Sequence, residues 1–244
     1  MILSVLLSCC AMQQLESAQQ QFEFAKSQKS RCTGLSGIAK VTQKRAAADA
    51  YADVKRYWPS AHPYVEEACF RRAEILRSLE ELGAARGCFE DVLELAAVDS
   101  DFYIRSLLEL GHLCRRSKLY EQSLNHYARA AAHSKGSLSY QVAGQSWLAK
   151  LNYSIKEYAA AEEAALQWRE RSLSSVDYIR ASDLYLCAMA RQRKWREAQQ
   201  QLADLRKEML KQSTAPSEEG EAVAKALAKL KAPKEIDLIR QGGR

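Results

Sequence analysis

The side chains that most often carry catalytic or metal-binding chemistry are few in this 244-residue chain and lie far apart along it. It has 4 histidines and 7 cysteines, and no cysteine forms a C-x-x-C pair or lies at metal-ligand spacing from a histidine. His112 and Cys114 are two residues apart, so on one helix they point to different faces. The sequence shows no known nucleophile motif and no glycine-rich phosphate loop. We therefore expect a non-enzymatic protein without a cofactor or a metal.

The cysteines are better explained as core residues than as reactive groups. Four of the seven fall at apolar positions of predicted helices, and unpaired cysteine is among the most frequently buried residue types. An odd number would also be unusual for an exported protein whose cysteines are all disulfide-paired. The sequence therefore predicts free, buried thiols.

The charged residues do not have the distribution of a nucleic-acid binder. The formal net charge is +6, and basic residues are mixed with acidic ones, whereas nucleic-acid binders usually concentrate positive charge on one face or in a tail. The excess is compatible with an acidic protein partner. Residues 191–197, RQRKWRE, look like a basic patch. Their Trp195 aligns with Tyr120 and Tyr158 in the internal repeat described below, at a helix junction where the side chain packs. This alignment predicts that the basic residues around Trp195 face solvent.

Residues 1–12, MILSVLLSCCAM, form an apolar segment that allows two interpretations. The segment carries no charged side chain and is shorter than the ~20 residues needed to span a membrane. It is similar to the apolar core of an export signal, and Leu6–Cys9 resembles a bacterial lipobox, in which Cys9 would be lipidated and become the first mature residue. The alternative is the apolar start of an ordinary helix.

The composition of the central part of the chain favours helices. None of the 4 prolines lies between Tyr64 and Ala215, and this stretch is rich in Ala, Leu, Glu, Arg and Gln, all of which tolerate the helical backbone well. No convincing alternation of apolar and polar residues indicates a strand. We therefore expect an all-α fold.

An internal repeat sets the spacing of these helices. Small residues recur with gaps of 38, 38, 38 and 37 residues, at Ala47, Ala85, Ser123, Ala161 and Ala198. Four positions after each lies a second series, Tyr51, Phe89, Tyr127, Ala165 and Leu202. The start of each later unit is marked by Tyr64, Tyr103, Tyr140 and Tyr178. Such a period predicts pairs of helices that bury their apolar faces by stacking in series.

The repeat resembles the tetratricopeptide repeat. In residues 104–131 the signature positions are matched by Leu107, Leu110, Gly111, Tyr120, Ser123, Tyr127 and Ala130. The resemblance implies a right-handed α-solenoid of about five helix pairs over residues 13–212, with Gly34 and Gly37 inside a degenerate first helix. Over residues 213–244 we expect a linker, a capping helix at 222–232 and a loose tail.

In this family the first helix of each pair lines a concave groove that binds a peptide or protein. Projecting one face of these helices gives a partner-binding set of Phe70, Arg77, Arg105, His112, Arg115, Arg116, Lys150, Tyr153, Arg180 and Arg191. Basic residues outnumber acidic ones on this face, and arginine and aromatic side chains often dominate binding energy at interfaces. We hypothesise a mildly basic groove for a peptide of acidic character.

The phrase AYADVKRYWPSAHPYVEEACFRRAEIL, residues 50–76, is loosely similar to tetratricopeptide lipoproteins of the bacterial cell envelope. If the signal at the N-terminus is real, this implies a lipid-anchored scaffold in the periplasm or outer membrane. The alternative is a cytoplasmic adaptor or regulatory module. An enzyme accessory domain and a nucleic-acid binder are further alternatives from other classes.

Overall fold

The computed structural model describes residues 14–242 except Pro216, and this part of the chain is all-α, with no β-strand. The predicted lipidation site Cys9 lies outside the described residues. The helices are α1 (Ala18–Ser30), α2 (Gly37–Tyr57), α3 (Tyr64–Ser78), α4 (Leu82–Leu95), α5 (Asp101–Arg116), α6 (Tyr120–Ala131), α7 (Leu138–Ser154), α8 (Tyr158–Glu170), α9 (Ser175–Arg191), α10 (Trp195–Ser213), α11 (Glu218–Ala228) and α12 (Ala232–Arg240).

The chain divides into two compact units, one ending at Leu113 and the other beginning at Cys114. In the first unit, consecutive helices from α1 to α4 pack on one another, and α1 also contacts α3. In the second unit, consecutive helices from α6 to α10 pack in the same way, and α7 contacts α9. Within each unit a first helix therefore contacts both its partner and the first helix of the next pair, as the repeat predicts.

The repeated small residues lie where second helices meet their neighbours. Ala47, Ala85, Ser123, Ala161 and Ala198 are all completely buried. The series four positions later is buried as well: Tyr51, Phe89, Tyr127, Ala165 and Leu202. Residues four apart share one face of a helix, so each second helix buries one continuous stripe. This confirms the packing role that the sequence period predicts.

The turns inside the pairs repeat one geometry that the sequence analysis did not find. A residue with positive φ stands two positions before α4, α6, α8 and α10, at Glu80, Lys118, Lys156 and Arg193. The following residue donates its backbone N–H to a carbonyl five positions back, as Glu157 does to Asn152 at 2.9 Å. This pattern is the Schellman motif, which satisfies carbonyl groups at a helix end. It closes these four pairs after only three non-helical residues, whereas six separate α1 from α2.

Two details differ from the prediction made from sequence. Gly34 lies in the loop between α1 and α2, with a φ of +80°, and Gly37 is the first residue of α2. Neither glycine is inside the first helix, because α1 has already ended at Ser30 and the positive φ makes a turn that glycine favours. At the other end, two helices replace the single helix expected over residues 222–232. Residues 232–240, expected to be loose, form α12.

The cysteines behave as the sequence predicts. The five in the described part of the chain form no disulfide, and those on the helices are buried: Cys69, Cys88, Cys114 and Cys187. Burial raises the pKa of Cys69 to about 12, with the nearby ammonium of Lys55 opposing the shift. A thiol with a raised pKa carries little thiolate near neutral pH and is a poor nucleophile.

Candidate functional site

The ten residues predicted for the groove all lie on the first helices of the pairs, namely α3, α5, α7 and α9. Four of them belong to the first unit: Phe70, Arg77, Arg105 and His112. The other six belong to the second unit: Arg115, Arg116, Lys150, Tyr153, Arg180 and Arg191. The two sets differ in how their charges are paired.

Phe70 is a core residue and does not offer a groove surface. Its side chain is 1% exposed and packs edge-on against Phe89, with ring centroids 5.5 Å apart. The guanidinium of Arg105 covers the ring at 4.3 Å from its centre. The helical projection placed Phe70 on the groove face, but the neighbouring helices cover it.

The basic groove residues of the first unit are neutralised by carboxylates. Arg105 pairs with Glu74 at 3.5 Å, and Arg77 pairs with Glu109 at 3.3 Å. Glu74 also pairs with Arg71 at 3.0 Å. Burial raises the pKa of Glu109; the Arg77 and Arg105 charges oppose this shift and the Glu74 charge adds to it. The first unit therefore presents a balanced network in which its arginines are already engaged.

The second unit contains a basic–aromatic cluster made of Arg115, Trp147, Lys150, Trp168 and Arg180. The Lys150 ammonium lies 4.9 Å from the ring centre of Trp147 and 4.8 Å from that of Trp168. The Arg115 guanidinium lies 5.1 Å from the ring centre of Trp147. Cations at these distances from aromatic faces are attracted by the ring quadrupole.

Lys150 is the most perturbed charge of the basic–aromatic cluster. Part of its side chain is exposed, but the two rings remove water from around the ammonium. This burial lowers the pKa of Lys150; the Asp177 carboxylate opposes the shift and the Arg180 charge adds to it. The protein thus holds a partly desolvated cation beside another positive charge, which favours binding of an external anion.

Among the described residues, no carboxylate lies within ion-pair distance of Arg115, Lys150 or Arg180. The nearby acid, Asp177, accepts a hydrogen bond from the indole N–H of Trp168 at 3.1 Å. The charges of the basic–aromatic cluster therefore differ from those of the first unit, where glutamates neutralise the arginines.

The C-terminal half of α9 is covered by α12. Arg191 forms an ion pair of 2.7 Å with Glu235. Asp183 accepts the backbone N–H groups of Lys231 and Ala232, at 2.7 and 2.8 Å, where α12 begins. Cys187 is buried in one cluster with Ala232 and Ile236. Arg191 is therefore an anchor for α12 in this structure and is not open to a partner.

The remaining predicted residues are placed as follows. Tyr153 is half-buried and packs edge-on against Tyr158 at 5.5 Å. Burial raises its pKa, and a hydrogen bond with Arg191 opposes that shift. His112 is half-buried and Arg116 is exposed near the end of α5.

A cleft of about 310 Å³ lies between α9 and α11, next to the basic–aromatic cluster. Its walls are mainly apolar, and Arg180, Lys225 and Lys229 add positive charge. The apolar lining comes from Val176, Ile179, Ala222, Ala226 and Leu230. Arg180 lines the cleft and lies one helical turn from Asp177, which accepts the hydrogen bond of Trp168 in the cluster.

Sequence reasoning missed both tryptophans of the cluster and the wall that α11 provides. Trp147 could have been found, because it lies three residues before Lys150 and so shares its helix face. Trp168 reaches the cluster from α8, and the cleft needs α11 to pack against α9. No local spacing in the sequence encodes those two contacts.

The part of the chain that the structure describes contains no group of three or more His, Cys, Asp or Glu residues able to hold a metal ion. Within the same residues, no helix is both long enough and apolar enough to cross a membrane.

Comparison with solved structures defines the class of protein. MamA matches 82% of this chain over 96% of its own length, with a TM-score of 0.61 and 14% identity. A tetratricopeptide repeat protein from Parabacteroides merdae matches 93% of this chain over 80% of its own, with a TM-score of 0.55 and 14% identity. A kinesin light chain-like protein of Podosopora anserina with nearly identical TPR-like repeats matches 82% of this chain over all of its own length, with a TM-score of 0.56 and 15% identity.

This chain therefore has the fold of tetratricopeptide repeat proteins, an α-solenoid built from helix pairs. No protein-family model and no curated protein matches its sequence. At identities of 14 and 15% the likeness concerns the fold.

Proposed function

We propose that this protein is a non-enzymatic scaffold that binds a peptide segment of a protein partner on the first helices of its second unit. The observation that carries the proposal is the basic–aromatic cluster, whose three cations have no carboxylate partner within ion-pair distance among the described residues. Arginine and tryptophan are the side chains most enriched at binding hot spots. The fold supports the same conclusion, since stacked helix pairs create extended binding surfaces.

The partner segment is expected to be acidic. The cluster holds three positive charges, and the carboxylate of Asp177 beside Lys150 leaves it with a net positive charge. A carboxylate placed there would gain charge-assisted hydrogen bonds and would compensate the partial desolvation of Lys150. Charge complementarity of this kind also accelerates encounter and excludes partners of the wrong sign.

The experiment is a peptide selection on the intact chain. A random peptide library displayed on phage is selected against the wild-type protein, and the enriched peptides are synthesised and titrated by calorimetry. We expect saturable binding that weakens at least about tenfold when Lys150 and Arg180 are both changed to glutamate.

The matched control replaces two exposed basic residues of α10, Arg206 and Lys207, by glutamate, which changes the net charge equally. Absence of any enriched peptide, or equal weakening by the two double variants, would contradict the proposed site.

The lipid anchor and the cell-envelope location remain separate proposals. They rest on the similarity of residues 6–9 to a lipobox and on the loose similarity of residues 50–76 to envelope lipoproteins. A scaffold of this kind would hold its partner at the membrane surface.

A further inference from the structure

The cleft between α9 and α11 has no role in the function proposed so far. It differs from the basic–aromatic cluster because its walls are mainly apolar. A volume of about 310 Å³ has room for one large apolar side chain.

α11 forms one wall of this cleft and is itself firmly placed. Its N-cap Ser217 accepts the backbone N–H of Gly220 at 3.1 Å, and Val223 is completely buried against the second-unit core. Ala222, Ala226 and Leu230 then line the cleft from this side. The segment predicted to be a simple cap therefore contributes surface to a potential binding site.

Arg180 connects the cleft to the basic–aromatic cluster. It lines the cleft, and on α9 it lies one turn after Asp177, which accepts the indole N–H of Trp168 in the cluster. It is exposed and makes no ion pair with the described residues. A ligand that places an anion at Arg180 and Lys150 therefore has an apolar cleft directly beside that anion.

We propose that α9 and α11 form a two-part recognition site for a peptide in which acidic residues adjoin a large aliphatic residue. Arg180 and Lys150 bind the carboxylates, and the cleft takes the aliphatic side chain. Lys229 at the rim favours a further acidic residue beside it, whereas Lys225 is paired with Glu221 at 3.4 Å. This inference rests on the proposed function and adds to it the kind of peptide recognised and the participation of α11.

A peptide suits this surface better than a nucleic acid. Non-specific nucleic-acid binding draws on many phosphate contacts, whereas this surface offers a few cations with Asp177 and Asp183 beside them. The apolar walls would also leave a phosphate chain without partners. An aliphatic side chain buried there gains the free energy of leaving water.

The probe is a fluorescein-labelled peptide with a glutamate–glutamate–leucine core between glycine–serine flanks, synthesised in both orders. Fluorescence anisotropy is measured with the full chain. We expect saturable binding in at least one order. Replacing both glutamates by glutamine, or the leucine by serine, should each weaken binding about tenfold.

The cleft is tested by Ala226→Trp, which fills it, with Ala224→Trp on the exposed face of α11 as the matched control. We expect Ala226→Trp to abolish the difference between leucine and serine peptides while the difference between glutamate and glutamine remains. Circular dichroism of both variants checks that the helices are retained.

Several results would overturn the inference. These are equal binding of leucine and serine peptides, equal effects of the two tryptophan variants, or preference for phosphoserine or an oligonucleotide over the glutamate peptide. If phage-selected peptides bind while glutamate–leucine peptides do not, the two-part site is wrong and the scaffold function stands. If neither binds, the function itself is contradicted.

Discussion

At the scale of single residues, Gly144 marks a close approach of α7 to α6 in the second unit. A Cβ at this position would lie 2.7 Å from the backbone nitrogen of Ala131 and 3.0 Å from the carbonyl oxygen of Tyr127. Backbone atoms cannot move aside as a flexible side chain can. We therefore expect Gly144→Ala to lower the free energy of unfolding by about 1–3 kcal/mol, measured by urea denaturation.

Gly87→Ala is the matched control. Gly87 lies in the interior of α4, is exposed, and has no atom within 4 Å of the position where a Cβ would stand. Alanine there should stabilise the helix by about 0.5–1 kcal/mol. If both substitutions shift the urea midpoint in the same direction, the packing described for Gly144 is wrong.

Because the pKa of Lys150 is lowered, we expect the affinity for an acidic peptide to depend on pH. The acidic peptide binds the protonated ammonium, so its affinity should fall as the pH rises through the lowered pKa of Lys150 in the free protein. The loss should therefore begin below about pH 10.4, the ordinary value for lysine. Asp177 and Arg180 are the charged groups that act on Lys150.

Lys150→Arg is the control for this pH dependence, because arginine stays charged throughout. Titrations by anisotropy from about pH 7 to about pH 10 should show a smaller loss of affinity for the variant than for the wild type. Identical pH profiles would show that Lys150 does not contact the peptide.

The sequence predicted the residue types at the site better than their surroundings. Lys150 and Arg180 were identified from their helix face, and the structure leaves both without an ion-pair partner among the described residues. Phe70 and Arg191 were placed on the same kind of face but are covered or paired. A helical projection shows only the direction in which a side chain points, whereas the exposure of that side chain depends on the neighbouring helices.

At the scale of elements, α12 depends on a contact made across 48 and 49 residues. Asp183 accepts the two N–H groups at its start, in the manner of an N-cap supplied from another helix. We expect Asp183→Ala to loosen α12, at a cost of about 1 kcal/mol. Alkylation of Cys187, which α12 helps to bury, should become faster.

The rate of Cys187 alkylation is followed by peptide mass spectrometry after timed exposure to iodoacetamide. Asp204→Ala on α10 is the control, since Asp204 is exposed and accepts a hydrogen bond from the Gln200 side chain. Unchanged protection of Cys187 in Asp183→Ala would show that this carboxylate does not hold α12.

The number and order of the repeat helices could be predicted because the period fixes them. Ala85 and Ala161, for example, are buried where the repeat requires a small residue. α12 could not, because a helix of 9 residues is not stable alone and its sequence carries little pattern. Its stability comes from Asp183 and Arg191, which belong to another helix.

At the scale of the whole molecule, the lipobox interpretation makes a prediction about mass. If Cys9 is lipidated, the protein expressed in a bacterium should lack residues 1–8, carry acyl chains on Cys9 and fractionate with membranes. Cys9→Ala should retain Met1 and lose the added mass. An intact, unmodified wild-type chain by mass spectrometry would leave residues 1–12 as the start of an ordinary helix.

The distribution of the positive charge over the chain says more about binding than its total does. In the first unit the arginines of the predicted groove are matched by Glu74 and Glu109, whereas the basic–aromatic cluster of the second has no such match. A net charge of +6 gave no indication of this difference. Only the positions of the acidic side chains in space distinguish an engaged arginine from one available to a partner.

The most direct test of the account maps a bound peptide onto the helices. A phage-selected peptide carrying a photoreactive benzoylphenylalanine is crosslinked to the full chain, and the crosslinked residues are identified by mass spectrometry. We expect crosslinks to α7, α9 and α11, concentrated around Lys150, Arg180 and Ala226, and their loss when Lys150 and Arg180 are changed to glutamate. Crosslinks confined to α10, or unaffected by that change, would contradict the proposed site.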